Sequence, residues 1–143
     1  MAEYTQPDIS LIGDEHVKVY RETNGEQGYL WNGAPILLLT TTGRKSGEAR
    51  TSALIFGRDG DDLLLVASQG GAPTHPNWYH NLNANPDVEV QVQGDVFRAT
   101  ARTADDDEKA RLWSIMTDVW PNYDAYQERT DRAIPVVVLT PQS

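Results

Sequence analysis

The short connections between strand-like segments limit this chain most. From Ala34 onward, six segments carry strand patterning: Pro35 to Thr42, Arg50 to Gly57, Asp62 to Gln69, Val88 to Val92, Phe97 to Arg102 and Ile134 to Thr140. Val88, Val90 and Val92 alternate with Glu89, Gln91 and Gln93, and Phe97, Ala99 and Ala101 oppose Arg98, Thr100 and Arg102. That period of two buries one face of a strand and wets the other. Asp59-Gly60 and Gly94-Asp95 read as tight turns, and Thr74 to Asn85 reads as one small helix. Short links favour antiparallel neighbours over alternating βαβ units. The expected fold is therefore mainly β with flanking helices (α+β), a six-stranded, mostly antiparallel barrel.

Helices are expected around this barrel. Residues 8–23 place Ile9, Ile12, His16, Val19 and Tyr20 along one side, with Asn24-Gly25 as the stop and Gly13 as a weak point. Pro76 falls in the first turn of the helix at Thr74 to Asn85, where Trp78, Tyr79 and Leu82 share a side. Thr103 followed by Asp106 reads as a capping box for a helix carrying Leu112, Trp113, Met116, Val119 and Trp120, stopped by Pro121. A shorter helix, Tyr123 to Arg129, precedes the last strand.

With 143 residues the chain fits one domain spanning 1–143, residues 1–33 forming an N-terminal helical segment and linker packed on it. It has no cysteine, which excludes disulfides, thiolate metal sites and a cysteine nucleophile and suits a reducing cytoplasm. Apolar runs such as Ile36 to Leu39 are far too short for a membrane span, and no signal peptide is visible before Asp14. Stable membrane insertion is not expected. A net charge of −9 disfavours nucleic acid as a partner. The charge is uneven, since residues 44–58 hold Arg44, Lys45, Arg50 and Arg58 against a single acid, Glu48. A basic island in an acidic protein suits a small anionic ligand. Nothing in the sequence sets an oligomeric state.

Two stretches carry the chemistry. In Thr40 to Thr51, two glycines bracket Arg44, Lys45 and Ser46 between two strands, and Arg50 and Thr51 follow on the outgoing strand. Glycine lets backbone N–H groups turn toward an anion, while the cations and hydroxyls supply charge and hydrogen bonds. The stretch reads either as a phosphate or carboxylate clamp or as a solvated hairpin tip. In Ala67 to Leu82, a strand end runs into a double glycine and then a helix with Asn77, Trp78, Tyr79 and Asn81. It reads either as a wall for a flat ring or as a turn and helix packed on the core. His75 and His80 are five apart and His16 stands alone, so no metal site is expected. Asp105, Asp106, Asp107 and Glu108 read as a helix N-terminus favoured by the dipole.

Together with ANPDVEVQV at 84–92 and YDAYQERTDRAIPVVVL at 123–139, the words TTTGRKSGEART at 40–51 and ASQGGAPTHPNWYHNL at 67–82 resemble the deazaflavin-dependent nitroreductase family, the F420-dependent quinone and nitro reductases. The resemblance covers nearly the whole chain after Ile36. It implies a split β-barrel like that of FMN-binding pyridoxamine-phosphate oxidases, and a hydride passed from the reduced deazaflavin coenzyme F420 to a small-molecule electron acceptor: a quinone, a nitroaromatic or an enone-like compound. Carried over, Arg44, Lys45, Ser46, Arg50 and Thr51 hold the coenzyme's phosphate and glutamyl tail. Ala53, Leu54, Val66, Ala67, Ser68 and Gln69 lie against the ring, and Asn77, Trp78, Tyr79 and Asn81 close its other side. Trp120, Tyr123 and Tyr126 match positions near the substrate, and Ser68, Tyr123 or Tyr126 orients the acceptor or relays a proton. Gln69 stands where nitroimidazole-reducing members often carry lysine, and Trp120 where they carry tyrosine, so proton delivery by that tyrosine is impossible here. The alternatives are an FMN-dependent oxidoreductase on the same barrel and a non-catalytic carrier of fatty acid or another small ligand.

Overall fold

A computed structural model describes residues 2–142. The chain forms a mainly β half-barrel with four helices. In order these elements are α1 (Gly13–Thr23), β1 (Leu30–Trp31), β2 (Ala34–Thr42), β3 (Ala49–Ile55), β4 (Gly57–Asp59), β5 (Asp62–Val66), α2 (Asn77–Ala84), β6 (Asp87–Val92), β7 (Asp95–Thr103), α3 (Asp106–Val119), α4 (Asn122–Glu128) and β8 (Val136–Pro141). A single turn of 3-10 helix, Gln69–Gly71, follows β5.

The sheet has eight strands rather than the expected six. Its order is β1-β2-β6-β7-β8-β5-β4, with β3 paired to the other edge of β2, and the pairings are antiparallel. Two differences make up the count. The two-residue β1 is added, and the expected second strand is divided at Phe56, whose N–H still donates to the Pro35 carbonyl of β2 at 3.1 Å while Gly57 already pairs with Leu64 of β5. Because β3 and β4 flank Phe56 in the chain, the sheet curls until its two ends meet in one segment.

Both faces of the central strands are buried, which explains their continuous apolar runs. Leu37 and Leu39 of β2 pack inward with Leu63, Leu65, Val90, Val137 and Leu139. Ile36 and Leu38 face outward to Tyr20 of α1, while Leu64, Val66, Val136 and Val138 pack against Leu112 and Met116 of α3. Tyr20 is fully buried and ties three elements together, its hydroxyl donating to the Ile36 carbonyl at 2.8 Å and accepting from the Gln93 N–H at 2.7 Å.

Helix boundaries depart from expectation for local reasons. α1 begins at Gly13, not at residue 8, because residues 2–12 carry no regular structure and are bound elsewhere. The Asn122 side-chain amide pairs with both the N–H and the carbonyl of Thr5, and the Asn32 amide does the same to Asp8. Gly13 turns the chain at φ +64, and Ile9 and Ile12 stay exposed rather than on a helix face. The capping box of α3 is formed by Asp105 and Glu108 rather than by Thr103 and Asp106. Thr103 is still in β7, and its hydroxyl is engaged with that of Tyr79 at 2.8 Å. Pro76 caps α2 from outside instead of lying in its first turn.

Candidate functional site

Two cavities meet on one side of the barrel. The larger, about 890 Å³, lies between α1, the β2–β3 hairpin and α2. The smaller, about 500 Å³, runs along β3 toward α4. Ser52, Asn77 and Trp78 line both, so they form one cleft with two unlike ends.

The larger end is basic. The hairpin closes through Gly43, whose N–H donates to the Glu48 carbonyl at 2.7 Å, and presents Arg44, Lys45 and Ser46 at its tip, with Arg50 and Thr51 beside them. α1 supplies the opposite wall with Lys18 and Arg21, two cations that the sequence reading missed. Their spacing of three, which puts both on one helix face, was the available signal. Arg21 donates to the Thr51 hydroxyl at 3.1 Å, and that hydroxyl also bonds Thr40 at 2.8 Å. Asn81 is 4% exposed, and its amide is committed to the protein. It donates to Thr41 at 3.2 Å and accepts from the Arg44 backbone N–H and guanidinium at 3.2 and 3.1 Å. Arg50 has an exposed carboxylate partner, Glu48, at 3.3 Å; among the described residues Lys18, Arg21, Arg44 and Lys45 have none.

The smaller end is apolar and aromatic. Ala53 and Leu54 of β3 form one wall with Val66, and Ser68, the N-cap of the 3-10 turn, and Gln69, its first residue, continue it beyond the strand. Trp120, Tyr123 and Tyr126 form the far wall with Trp31, whose ring centre is 5.4 Å from that of Trp120. The Trp120 indole N–H donates to the Tyr126 hydroxyl at 3.4 Å. Tyr123 is 4% exposed, and burial, aided by Tyr126 next to it, holds its phenol far above the ordinary range.

The turn carrying Ser68 and Gln69 is held from behind. The Arg132 guanidinium donates to the carbonyls of Ser68, Ala72 and Ala67 at 2.7, 2.8 and 3.1 Å, and to Nδ1 of His75 at 2.9 Å. Arg129 adds a bond to the Gly70 carbonyl at 3.1 Å. An acceptor role for Nδ1 requires a neutral His75, and burial followed by the Arg132 charge lowers that imidazole's pKa accordingly.

Two of the expected ring contacts lie elsewhere. Ala67 is fully buried in the inward core, and Tyr79 packs there too, its hydroxyl bound to Thr103. Successive helical residues are about 100° apart, so when Trp78 faces the cleft its neighbour Tyr79 faces the barrel. The remaining expected residues lie along the cleft, with Asn81 acting on Arg44.

A sequence model described as F420H(2)-dependent quinone reductase matches residues 13–141. An F420H(2)-dependent quinone reductase of Mycobacterium tuberculosis is 52% identical over 129 residues, covering 87% of each chain. The solved structure of an F420-H2 dependent reductase, FDR-A, is 42% identical, covers 73% of this chain and 93% of its own, and superposes with a TM-score of 0.69. The haem storage protein HutZ of Vibrio cholerae shares the fold alone, at 15% identity and a TM-score of 0.59 over 93% of this chain and 92% of its own. With a family match across nearly its whole length, laid over a cleft that joins a basic end to an aromatic one, the chain belongs to the F420H(2)-dependent quinone reductase family.

Proposed function

We propose that this protein transfers a hydride from the reduced deazaflavin coenzyme F420 to a quinone, with nitroaromatic and enone-like compounds as slower acceptors. The observation that carries the reading is the junction of the two cavities at Ser52, Asn77 and Trp78. A coenzyme with a flat ring and an anionic tail needs such a pair of environments side by side. The donor set fits: Lys18, Arg21, Arg44, Lys45 and Arg50 surround the basic end with the Ser46 hydroxyl among them, against only Asp14 and Glu22.

In this reading Arg44, Lys45, Ser46, Arg50 and Thr51 hold the phosphate and glutamyl tail, joined by Lys18 and Arg21. Ala53, Leu54, Val66, Ser68 and Gln69 flank the ring, and Asn77 and Trp78 close over it. When bound, the deazaflavin supplies a two-electron hydride, so the protein's part is positioning and the exclusion of water. Trp120, Tyr123 and Tyr126 wall the acceptor, and the hydroxyls of Ser68, Tyr123 and Tyr126 orient it by donating hydrogen bonds. Counting β3 and β4 as one bent strand and leaving out β1, the fold is read as a six-stranded split barrel, and residues 1–143 as one domain. No helix among the described residues is long and apolar enough to cross a membrane. We place the protein in the cytoplasm, where a cysteine-free chain needs no oxidising environment.

Calorimetric titration with purified F420, followed by turnover assays on naphthoquinones and nitroaromatics, tests the proposal. Coenzyme binding with naphthoquinones reduced faster than nitroaromatics is the expected result. A protein that ignores F420, or that retains FMN and reoxidises rapidly in air after reduction, would overturn it.

A further inference from the structure

Reducing a quinone to a hydroquinone takes two electrons and two protons, and a hydride brings both electrons but one proton. The second proton has to reach the acceptor inside a chamber lined by no carboxylate. Among the lining residues only His16, Tyr123 and Tyr126 titrate. A phenol ordinarily holds its proton about three pH units more tightly than an imidazole, and burial tightens that hold further at Tyr123.

His16 sits in the first turns of α1 and is 3% exposed. Its Nε2 lies 2.8 Å from the Gly28 carbonyl. A carbonyl only accepts, so the hydrogen of the neutral ring is on Nε2, and Nδ1 carries the free lone pair. Nδ1 has no hydrogen-bond partner among the described residues. Yet no buried side-chain nitrogen or oxygen among them lacks one. Nδ1 is therefore not sealed off, and His16 is among the residues that line the smaller cavity. The ring is also locked in place. Gly28 has φ +90, and a Cβ there would come within 3.1 Å of the imidazole Cδ2 and 3.2 Å of Nε2. The carbonyl bond and this close packing fix the ring and leave Nδ1 as its one uncommitted nitrogen.

We propose that His16 is the general acid of quinone reduction, delivering a proton from Nδ1 to the oxygen of the reduced acceptor. The assignment rests on the quinone reductase reading given above. The hydride that a bound reduced deazaflavin would supply, itself becoming oxidised, would convert the quinone to a hydroquinone monoanion. The Nδ1–H bond of the imidazolium then breaks as the O–H bond forms, and the ring returns to its neutral Nε2–H form. Solvent reprotonates it between turnovers. Tyr123 and Tyr126, which line the same cavity, hold the acceptor by hydrogen bonds.

The test combines wild-type protein with His16→Gln, whose side-chain amide keeps a donor for the Gly28 carbonyl but has no titrating nitrogen. In coenzyme-free wild-type protein, titration with 2-methyl-1,4-naphthoquinone should shift the Nδ1 resonance of His16 in imidazole nitrogen NMR and leave His80 unmoved. With coenzyme, His16→Gln should lower naphthoquinone turnover roughly a hundredfold, the scale of general acid catalysis, and enlarge the solvent deuterium isotope effect on kcat. Its coenzyme affinity should stay within twofold of wild type. A folded variant with turnover within twofold of wild type overturns the proposal. So does a His16 resonance that saturating naphthoquinone leaves in place, a result that stands even if His16→Gln fails to fold. If wild-type protein neither binds F420 nor reduces naphthoquinone, the reductase reading fails, and a shifted His16 resonance then records an acceptor contact without proton transfer.

Discussion

The two ends of the cleft are built on opposite terms. At the basic end the working side chains are solvated: Arg50 and its partner Glu48 are 60% and 70% exposed, and the hairpin tip packs on little else. At the aromatic end they are core residues, with Trp120 and Tyr123 buried in the same cluster as Leu112 and Met116. A solvated residue can be removed at a cost to binding alone, because water replaces what the ligand loses. A buried one cannot, because its contacts with the ligand and with the fold are made by the same atoms. The basic half is thus free to vary without endangering the fold, whereas the aromatic half is tied to the protein's stability.

The largest effect should come from Arg132→Ala, which strips four hydrogen bonds from the back of the Ser68 turn. Bonds to a charged group contribute roughly 1.5–3 kcal/mol each and are not additive, so a loss of about 3 kcal/mol and about 10 °C in Tm is expected by calorimetry. Quinone turnover should fall with it. Arg132→Lys keeps the charge but lacks the fork that reaches several acceptors at once, and should recover less than half of the loss. An unchanged Tm would break the claim that the aromatic half is tied to stability.

Next come Arg50→Ala and Lys45→Ala, each expected to weaken F420 binding about tenfold or more through a lost charge-assisted contact. Exposed ion pairs contribute little to folding, so both variants should melt within about 2 °C of wild type. A large drop in Tm with unchanged affinity would return the hairpin to a purely structural role.

The smallest effects sharpen the aromatic end. Tyr126→Phe gives up only a long bond from the Trp120 indole, and Tyr123→Phe removes a hydroxyl without a protein partner among the described residues. Each should lower quinone turnover several-fold with coenzyme affinity near wild type, the signature of a contact made at the acceptor rather than the coenzyme. Steady-state kinetics beside thermal melts separates this from loss of packing. Two variants with unaltered turnover would remove both tyrosines from the site.

What was legible in the sequence was local. Alternation in Val88 to Val92 and Phe97 to Arg102 marks strands that do pair, Val90 opposite Phe97, because period two is written in consecutive residues. The hairpin of Thr40 to Thr51 was legible for the same reason, with Thr42 opposite Ala49. What escaped depends on contacts between distant residues. Nothing near Thr5 or Asp8 announces that Asn122 and Asn32 will bind their backbone, and a helical pattern from residue 8 was the natural misreading. Arg132 reaches carbonyls more than 55 residues away in the chain. Lys18 and Arg21 read as ordinary solvated charges until α1 docks beside the hairpin. Trp78 and Tyr79 formed an ambiguous pair that only the docking angle of α2 resolved.

The tryptophans have a practical consequence. Three of the four, Trp31, Trp78 and Trp120, border the cleft, and Trp113 lies outside its lining. Three of the protein's ultraviolet emitters therefore sit at the cleft, and a ring stacked at Trp78 can quench its emission by short-range energy transfer. Trp31 and Trp120, with centres 5.4 Å apart, report on the far end, so replacing Trp78 by phenylalanine divides the optical signal into coenzyme and acceptor channels. Arrival of each ligand can then be timed in a stopped-flow instrument without attaching a dye.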